Sequence, residues 1–104
     1  MERTIKAQDL KPAIGNVTLI DVRRKSDLDA DTSKLPGAIW HDPEQIETWA
    51  AQLPKEKEVV LYCVRGGSVS NSVLDSLLSK GINARFIEGG IVAWKEAGGE
   101  VLAK

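Results

Sequence analysis

The chain has 104 residues, 42% hydrophobic and 28% charged, which fits one globular domain with a single modest core and leaves no room for a second. Its net charge of -1 gives no electrostatic reason to expect nucleic acid or an anionic membrane as a partner. Its one cysteine excludes an internal disulfide and a zinc site built from several thiolates, so we expect one domain over residues 1–104 with no metal and no cofactor.

The first half of the chain predicts three strands and a short helix. The run Val17–Val22 is continuously apolar and β-branched around Asp21, which is typical of a strand covered on both faces of a parallel sheet. The polar segment from Arg23 to Lys34 predicts a loop with a short helix, followed by a turn at Leu35-Pro36-Gly37. The other predicted elements here are a strand at Thr4–Lys6, one or two helical turns at Ala7–Lys11 stopped by Pro12, and a strand at Ala38–Trp40.

A helix start is predicted at Asp42. Asp42 is a good N-cap residue, Pro43 suits the first helical position, and Gln45 completes a capping box. Apolar residues then recur at helical spacing, and Pro54 is predicted to end the helix.

The second half alternates strands and helices. It predicts a buried strand at Val59–Tyr62, a helix from Ser68 to Lys80 with Gly81 at its C′ position, a strand at Ala84–Ile87, a turn at Glu88-Gly89-Gly90 and a helix at Ile91–Ala97. Such alternation indicates an α/β fold with a parallel sheet between two helix layers. Ligands of these sheets bind at the carboxyl ends of the strands, so Asp21-Val22-Arg23, Cys63 and Glu88-Gly89-Gly90 are expected to gather at one edge.

Cys63 is the strongest candidate for a functional residue. It ends a predicted buried strand and precedes Val64-Arg65-Gly66-Gly67-Ser68, a glycine-containing loop that leads into a helix. Loop N–H groups and the helix dipole in such a setting stabilise a thiolate. An inert core thiol is the alternative, since free cysteines are often buried. The Arg-Gly-Gly-Ser that follows favours the reactive cysteine, because a core strand needs none of these residues.

Four segments in the expected order and spacing carry a resemblance to a known family. They are Leu19–Arg23 ending in Asp-Val-Arg, Leu35–Ile39 containing Pro-Gly-Ala, the cysteine loop Tyr62–Ser68, and Glu88–Gly98 with two glycines, Trp94 and a final glycine. Over about Thr4–Gly99 the chain is similar to the rhodanese-like sulfurtransferases. The resemblance implies a three-layer α/β/α domain with a five-stranded parallel sheet.

The chain departs from the family pattern at three places. Asp27 stands where the family commonly has Glu, and Ser33-Lys34 replaces the usual Gly-His, with about two extra residues between the two motifs. The loop ends in Ser68-Val69-Ser70 instead of Arg-Ser or Arg-Thr. Its positive charge lies at Arg65, which hints at an anionic sulfur donor.

The resemblance implies transfer of a sulfane sulfur through a persulfide on Cys63, with thiosulfate or a similar small anion as donor. A thiol or cyanide is the implied acceptor, and a protein acceptor is a further option. We expect N–H groups of Val64, Arg65, Gly66, Gly67 and Ser68 to bind the sulfur, with both glycines at positive φ. Ser68 is expected to cap the following helix, and Asp21 with Arg23 to brace the site.

Three other functions stay open from the sequence. A phosphatase or arsenate reductase of the same fold has a loop one residue longer that ends in Arg, whereas the loop Cys63–Ser68 has six residues. A non-catalytic regulatory module and a persulfide carrier for a protein partner are the others. His41 is expected to be structural, and Trp40, Trp49 and Trp94 to serve packing.

The N-terminal segment has no sign of a targeting sequence. Met1–Lys6 lacks an apolar h-region, and no stretch approaches the ~18 apolar residues that a spanning helix needs. We therefore expect a cytoplasmic protein that binds no membrane.

Overall fold

Strands and helices alternate along the chain in the computed structural model, which describes residues 3–53 and 56–103. The strands are β1 (Thr4–Ile5), β2 (Thr18–Asp21), β3 (Ser33–Lys34), β4 (Ile39–Trp40), β5 (Val59–Tyr62), β6 (Ala84–Ile87) and β7 (Leu102–Ala103). The helices are α1 (Ala7–Leu10), α2 (Lys25–Ala30), α3 (Ile46–Trp49), α4 (Ser68–Ser79) and α5 (Gly90–Glu96). Short 3₁₀ segments lie at Lys11–Asn16, Pro43–Gln45 and Ala50–Gln52.

Five strands form a parallel sheet in the order β1-β6-β5-β2-β4, which confirms the predicted α/β class. Strand β5 lies in the middle, and its four apolar or aromatic residues are all buried because both faces of the sheet are covered. The register pairs Asp21 of β2 with Tyr62 of β5. The carboxyl ends of these two strands, and the residues that follow them, therefore lie side by side.

The core has two halves, one on each face of the sheet. Successive side chains of a strand point to opposite faces, so Val59 and Leu61 join one cluster while Val60 and Tyr62 join the other. Helices α3 and α4 cover the first face through residues such as Trp49 and Leu77, and α1 and α5 cover the second face. The arrangement is the predicted three-layer α/β/α sandwich.

The predicted end of helix α4 is confirmed. Gly81 has a φ of +76°, its N–H donates to the carbonyl of Leu78 at 3.0 Å, and the N–H of Ile82 donates to Leu77 at 3.1 Å. These two bonds form the Schellman motif that a C′ glycine permits.

The predicted helix after Asp42 is broken into three short pieces. The Asp42 carboxylate does accept from the N–H of Glu44 at 2.9 Å, as an N-cap does. Its carbonyl accepts from the N–H of Gln45 at 2.9 Å and from the indole Nε1 of Trp49 at 2.8 Å, so the first turn is 3₁₀. No return bond from the Gln45 side chain is found within residues 3–53 and 56–103, so the capping box is incomplete. Pro54 lies outside the described residues.

Two further details differ from the sequence predictions. Helix α1 ends at Leu10, but Pro12 does not end the helical path, because it sits in the first turn of a 3₁₀ segment where its missing N–H costs nothing. Strands β3 and β7 form an antiparallel pair that was not predicted, since two-residue strands carry no readable period. Nowhere in the described part of the chain is there a helix with the length and apolar character to cross a membrane.

Candidate active site

Cys63 follows the last residue of β5, and two hydrogen bonds hold its backbone. The carbonyl of Cys63 accepts from the N–H of Ile91 at 3.0 Å, and the carbonyl of Val64 accepts from the N–H of Val92 at 3.2 Å. The beginning of α5 thus fixes the start of the cysteine loop. The Cys63 side chain lies at the edge of the core with the residue only 6% exposed.

The turn before α5 passes directly against this backbone. Gly89 and Gly90 have φ values of +77° and +63°, in the left-handed region that glycine tolerates best. A Cβ on Gly90 would lie 2.5 Å from the carbonyl oxygens of both Cys63 and Val64. The second glycine of Glu88-Gly89-Gly90 therefore serves the close approach of two backbones as well as the predicted turn.

The cysteine loop turns at Gly66, whose φ is +69°. A Cβ there would lie 3.0 Å from the backbone nitrogen of Gly89, so the loop and the turn before α5 also meet at this point. Gly67 has a φ of −93°, so the prediction of positive φ is right for Gly66 and wrong for Gly67. Gly67 needs no left-handed conformation because the chain has already turned and enters α4.

The N–H groups of the loop donate to no protein atom that the structure describes. Within residues 3–53 and 56–103, no acceptor is found for the backbone N–H of Val64, Arg65, Gly66 or Gly67. Backbone N–H groups are strong donors that normally find a partner. Four consecutive donors without a protein partner, next to the first turn of a helix, form a set that can bind an anion.

Ser68 does not cap α4, contrary to the prediction. Gly67 occupies the N-cap position and offers no side chain, and Ser68 is the exposed first residue of the helix. The Gly67 carbonyl instead accepts from the backbone and side-chain nitrogens of Asn71, each at 3.1 Å.

The hydrogen bond to the sulfur comes from a residue that the sequence analysis did not single out. The hydroxyl of Ser70 donates to Sγ of Cys63 at 3.0 Å, and Ser70 is fully buried. Among the residues that the structure describes, no loop N–H donates to Sγ of the unmodified thiol.

Cys63 borders a surface pocket of about 310 Å³. The residues that line it are Val64, Arg65 and Gly67 from the loop, Ser68 and Val69 from α4, and Arg24 and Asp27 from the segment after β2. Arg24 and Arg65 are exposed arginines that border the same opening. The pocket therefore combines a thiol with two positive charges and one negative charge.

Asp21 and Arg23 form a buried ion pair at the end of β2. The guanidinium Nη2 of Arg23 lies 2.7 Å from a carboxylate oxygen of Asp21, and both side chains are at most 3% exposed. Asp21 and Arg23 are therefore not a surface ion pair. Although burial opposes the charge, hydrogen bonds to Asp21 and its negative charge raise the pKa of Arg23, so the guanidinium stays protonated.

The Asp21–Arg23 pair contacts both β5, which leads to Cys63, and the segment that contains Asp31 and Ser33. The guanidinium carbon of Arg23 lies 5.7 Å from the ring centroid of Tyr62, the residue before Cys63. Its nitrogens also donate to the Ser33 carbonyl at 2.9 Å and to the Asp31 carboxylate at 3.1 Å. Burial, together with the charge of Asp21, raises the pKa of Tyr62 well above its ordinary range, so the phenol stays neutral.

Asp31 extends the network to α5. Partial burial alone would raise its pKa, but hydrogen bonds from Ser33 and a salt bridge to Lys95 hold that pKa far below its usual range. The carboxylate is thus charged at neutral pH and can pair with Arg23.

A family model described as a rhodanese-like domain matches residues 6–97. The chain belongs to the rhodanese-like domain family. A sulfurtransferase of Allochromatium vinosum is 28% identical over 89 residues, which cover 85% of this chain and 80% of that protein. A tRNA sulfurtransferase of Desulfurococcus amylolyticus is 32% identical over 89 residues, 86% of this chain, but this chain spans only 17% of that relative.

The solved structures agree with the family assignment. A rhodanese-related protein from Thermoplasma volcanium superposes with a TM-score of 0.87 and 27% identity, over 99% of this chain and 100% of that one. The likeness in fold therefore extends over nearly the whole rhodanese-like domain.

The histidine and tryptophans of this rhodanese-like domain lie away from the Cys63 pocket. His41 stacks on Trp49 with ring centroids 4.9 Å apart, and burial lowers its pKa. The indole of Trp40 donates to the Arg23 carbonyl at 2.8 Å, and that of Trp94 donates to Glu100 at 2.8 Å. None of these four side chains lines the Cys63 pocket among the described residues.

Four residues were not predicted as site residues: Arg24, Asp27 and Val69, which line the pocket, and Ser70, which contacts the sulfur. Arg24 directly follows the Asp-Val-Arg motif at the end of a predicted strand. Its position at the edge of the sheet could therefore have been predicted. Ser70 lies seven positions after Cys63, and nothing local distinguishes it from the other serines of α4.

Proposed function

We propose that this chain is a single rhodanese-like domain over residues 1–104 and acts as a thiosulfate sulfurtransferase. In this proposal it moves a sulfane sulfur from thiosulfate, or a similar small anionic donor, to a thiophilic acceptor through a persulfide on Cys63. The sulfurtransferase names of its relatives support the reaction class. A cytoplasmic location and the absence of a cofactor stay predictions.

One observation carries this proposal: Cys63 borders an open pocket beside loop N–H groups that donate to no described protein atom. A persulfide is an anion, and burying it without partners would be costly. The N–H groups of Val64 to Ser68 are the donors proposed to bind its outer sulfur. In the described residues these N–H groups make no hydrogen bond to Sγ of the unmodified thiol.

The first step loads the enzyme. The Cys63 thiolate attacks the outer sulfur of thiosulfate, a bond forms between Sγ and that sulfur, and the sulfur–sulfur bond of the donor breaks. The electron pair leaves with sulfite. Sulfite is stable as an anion, so no general acid is required.

The second step discharges the enzyme. An acceptor thiolate or cyanide attacks the outer sulfur of the Cys63 persulfide, and the persulfide sulfur–sulfur bond breaks. The electron pair returns to Sγ, which regenerates the thiolate and yields a new persulfide or thiocyanate. Two such displacements predict ping-pong kinetics. The buried pair Asp21–Arg23 is proposed to brace the site, since it lies beneath Tyr62 and touches no pocket residue in the contacts described.

Mass spectrometry of the intact protein tests the proposal. After incubation with thiosulfate the protein should gain the mass of one sulfur atom, and cyanide should remove it with formation of thiocyanate. The Cys63→Ser variant should gain nothing while its thermal unfolding stays close to that of the parent protein.

Three outcomes would count against this function. No adduct with thiosulfate, polysulfide or mercaptopyruvate contradicts the transferase. Cys63-dependent hydrolysis of an aryl phosphate would support the phosphatase in its place. A persulfide on Cys63 that only a partner protein, and no small acceptor, can discharge would indicate a persulfide carrier.

Arg65 and Arg24 should select the charge of the donor. Replacing either with alanine should lower the rate of loading from thiosulfate by about tenfold, which corresponds to the loss of ~1.5 kcal/mol from one charge-assisted contact. The reaction of the Cys63 thiolate with an uncharged organic trisulfide, which leaves a mixed trisulfide on Cys63 and releases an organic thiolate, should change little in rate, because this reagent has no anionic end to bind.

Stopped-flow measurement of sulfite release and of trisulfide consumption checks this prediction. Arg3→Ala is the matched control, since Arg3 pairs with Asp75 and does not line the pocket. Added salt should weaken the preference of the parent protein for thiosulfate. Equal losses with both donors would show that these arginines do not select charge.

A further inference from the structure

Ser70 has an unusual partner for a serine inside a helix. A hydroxyl in the body of a helix commonly donates to the carbonyl three or four residues earlier. Here the hydroxyl donates to Sγ of Cys63 at 3.0 Å, on the preceding strand end. The Cα–Cβ bonds of a helix lean toward its N-terminus, which directs a side chain near the start of α4 back toward the loop.

Ser70 is fully buried, and Sγ of Cys63 is the one acceptor found for its hydroxyl among the described residues. A fully buried hydroxyl without a partner costs about 1–3 kcal/mol, so the proton stays directed at the sulfur. A neutral thiol is a weak acceptor, whereas a thiolate is charged and accepts a much stronger hydrogen bond. The contact therefore stabilises negative charge as it develops on Sγ.

From this geometry we infer that Ser70 is a positioning residue for sulfur transfer, which stabilises the negative charge on Sγ. The inference rests on the proposed function for the two transfer steps, but the charge on the thiol can be measured without them. Ser70 touches neither donor nor acceptor and acts only through Cys63.

The two transfer steps respond to this hydrogen bond in opposite ways. During loading, Sγ gives up negative charge as it bonds to the donor sulfur, so the bond from Ser70 stabilises the reactant more than the transition state. During discharge, the electron pair returns to Sγ and the same bond stabilises the leaving thiolate. A stabilised thiolate is a weaker nucleophile and a better leaving group.

Other charged groups line the same pocket as Cys63, and the comparison between variants must leave them unchanged. They are Arg24 and Asp27 from the α2 side and Arg65 from the loop. Helix α4 contributes Ser68 and Val69, and neither is charged. The α5 side contacts Cys63 through backbone at Ile91, with glycines at its turn. All these groups are present in both the parent protein and a Ser70 variant, so a difference in pH dependence reports Ser70.

The first experiment measures the rate of Cys63 alkylation by iodoacetamide as a function of pH. Ser70→Ala should lower the alkylation rate near neutral pH, because the sulfur loses the hydrogen bond that it accepts from the hydroxyl. Ser70→Thr keeps the hydroxyl and should restore the parent profile. Ser76→Ala is the matched control, because Ser76 lies farther along α4 and makes no described contact with Sγ.

The second experiment follows loading from thiosulfate and discharge to cyanide separately, at a pH where both proteins are fully ionised. Ser70→Ala should slow discharge by about three- to tenfold and leave loading unchanged or faster, since only discharge returns charge to Sγ. Thermal unfolding of each variant tells loss of structure from loss of the hydrogen bond.

The outcomes separate this inference from the proposed function. If the parent protein takes up no sulfur, the function fails, while the alkylation profiles still decide the role of Ser70. Coincident profiles for the parent protein and Ser70→Ala would overturn the inference. So would equal slowing of both steps, or a Ser70→Thr variant that behaves like alanine while unfolding at the parent temperature.

Discussion

Replacing Gly90 with alanine should lower the free energy of unfolding by about 2–5 kcal/mol. About 1–2 kcal/mol comes from placing a Cβ at a φ of +63°, and about 1–3 kcal/mol from its overlap with neighbouring backbone. The overlap cannot relax through a side-chain rotation, because the new atom would meet the carbonyl oxygens of Cys63 and Val64 at 2.5 Å. Chemical denaturation of the two proteins measures the difference.

Gly81→Ala is the matched control for Gly90→Ala. Gly81 has a similar φ of +76°, and a Cβ built on it would meet nothing within 4 Å. It should lose only the conformational share, about 1–2 kcal/mol. The folded fraction of Gly90→Ala should also load sulfur more slowly, because separation of the two backbones displaces the cysteine loop. Equal destabilisation of the two variants would show that the close approach is not important.

Replacing Arg23 with methionine should destabilise the protein by about 3–5 kcal/mol. Methionine fills a similar volume but leaves the Asp21 carboxylate buried without its guanidinium partner. The loss also removes the hydrogen bonds to Asp31 and to the carbonyl of Ser33. Thermal and chemical unfolding at neutral pH measure the effect.

A second substitution tests whether the unpaired charge causes the loss. Adding Asp21→Asn to Arg23→Met should recover about 1–3 kcal/mol, because the amide oxygen can still accept from the backbone N–H of residue 23. Lys25→Met is the control for removing a cation from an exposed pair, here with Asp29, and should cost less than about 1 kcal/mol. A similar small loss for Arg23→Met would contradict a structural role for the buried pair.

Much of the fold was predictable because its signals are local. The buried apolar run of β5, the helical stripe of α4 and the glycine after it each specify one element through neighbouring residues. The alternation of these elements then indicates a parallel sheet, and this places Cys63 at the edge where β2 also ends. The motif order pointed to the same architecture and family.

The errors arise where distant residues decide the outcome. The helix after Asp42 begins with a 3₁₀ turn, in which the Asp42 carbonyl accepts from the N–H of Gln45 and from the indole of Trp49, and no periodicity reveals these contacts. Gly90 is required because its backbone lies against Cys63 and Val64, which are far earlier in the chain. The sequence does not distinguish Gly66 from Gly67, and only the conformation of the loop shows that Gly66 alone of the two has a positive φ. Ser70 and Arg24 matter through their neighbours in space, so their residue types alone carried little information.

The position of Sγ at the rim of the core restricts how a reagent can arrive. Displacement at sulfur proceeds along the line of the bond that breaks, and because Cys63 is only 6% exposed, an attacking group has to approach it from the pocket that it lines. Small molecules can approach in this direction because they tumble freely. A macromolecular acceptor would have to present its sulfur on a narrow, protruding segment. The burial of the thiol would therefore restrict which macromolecules can accept the sulfur.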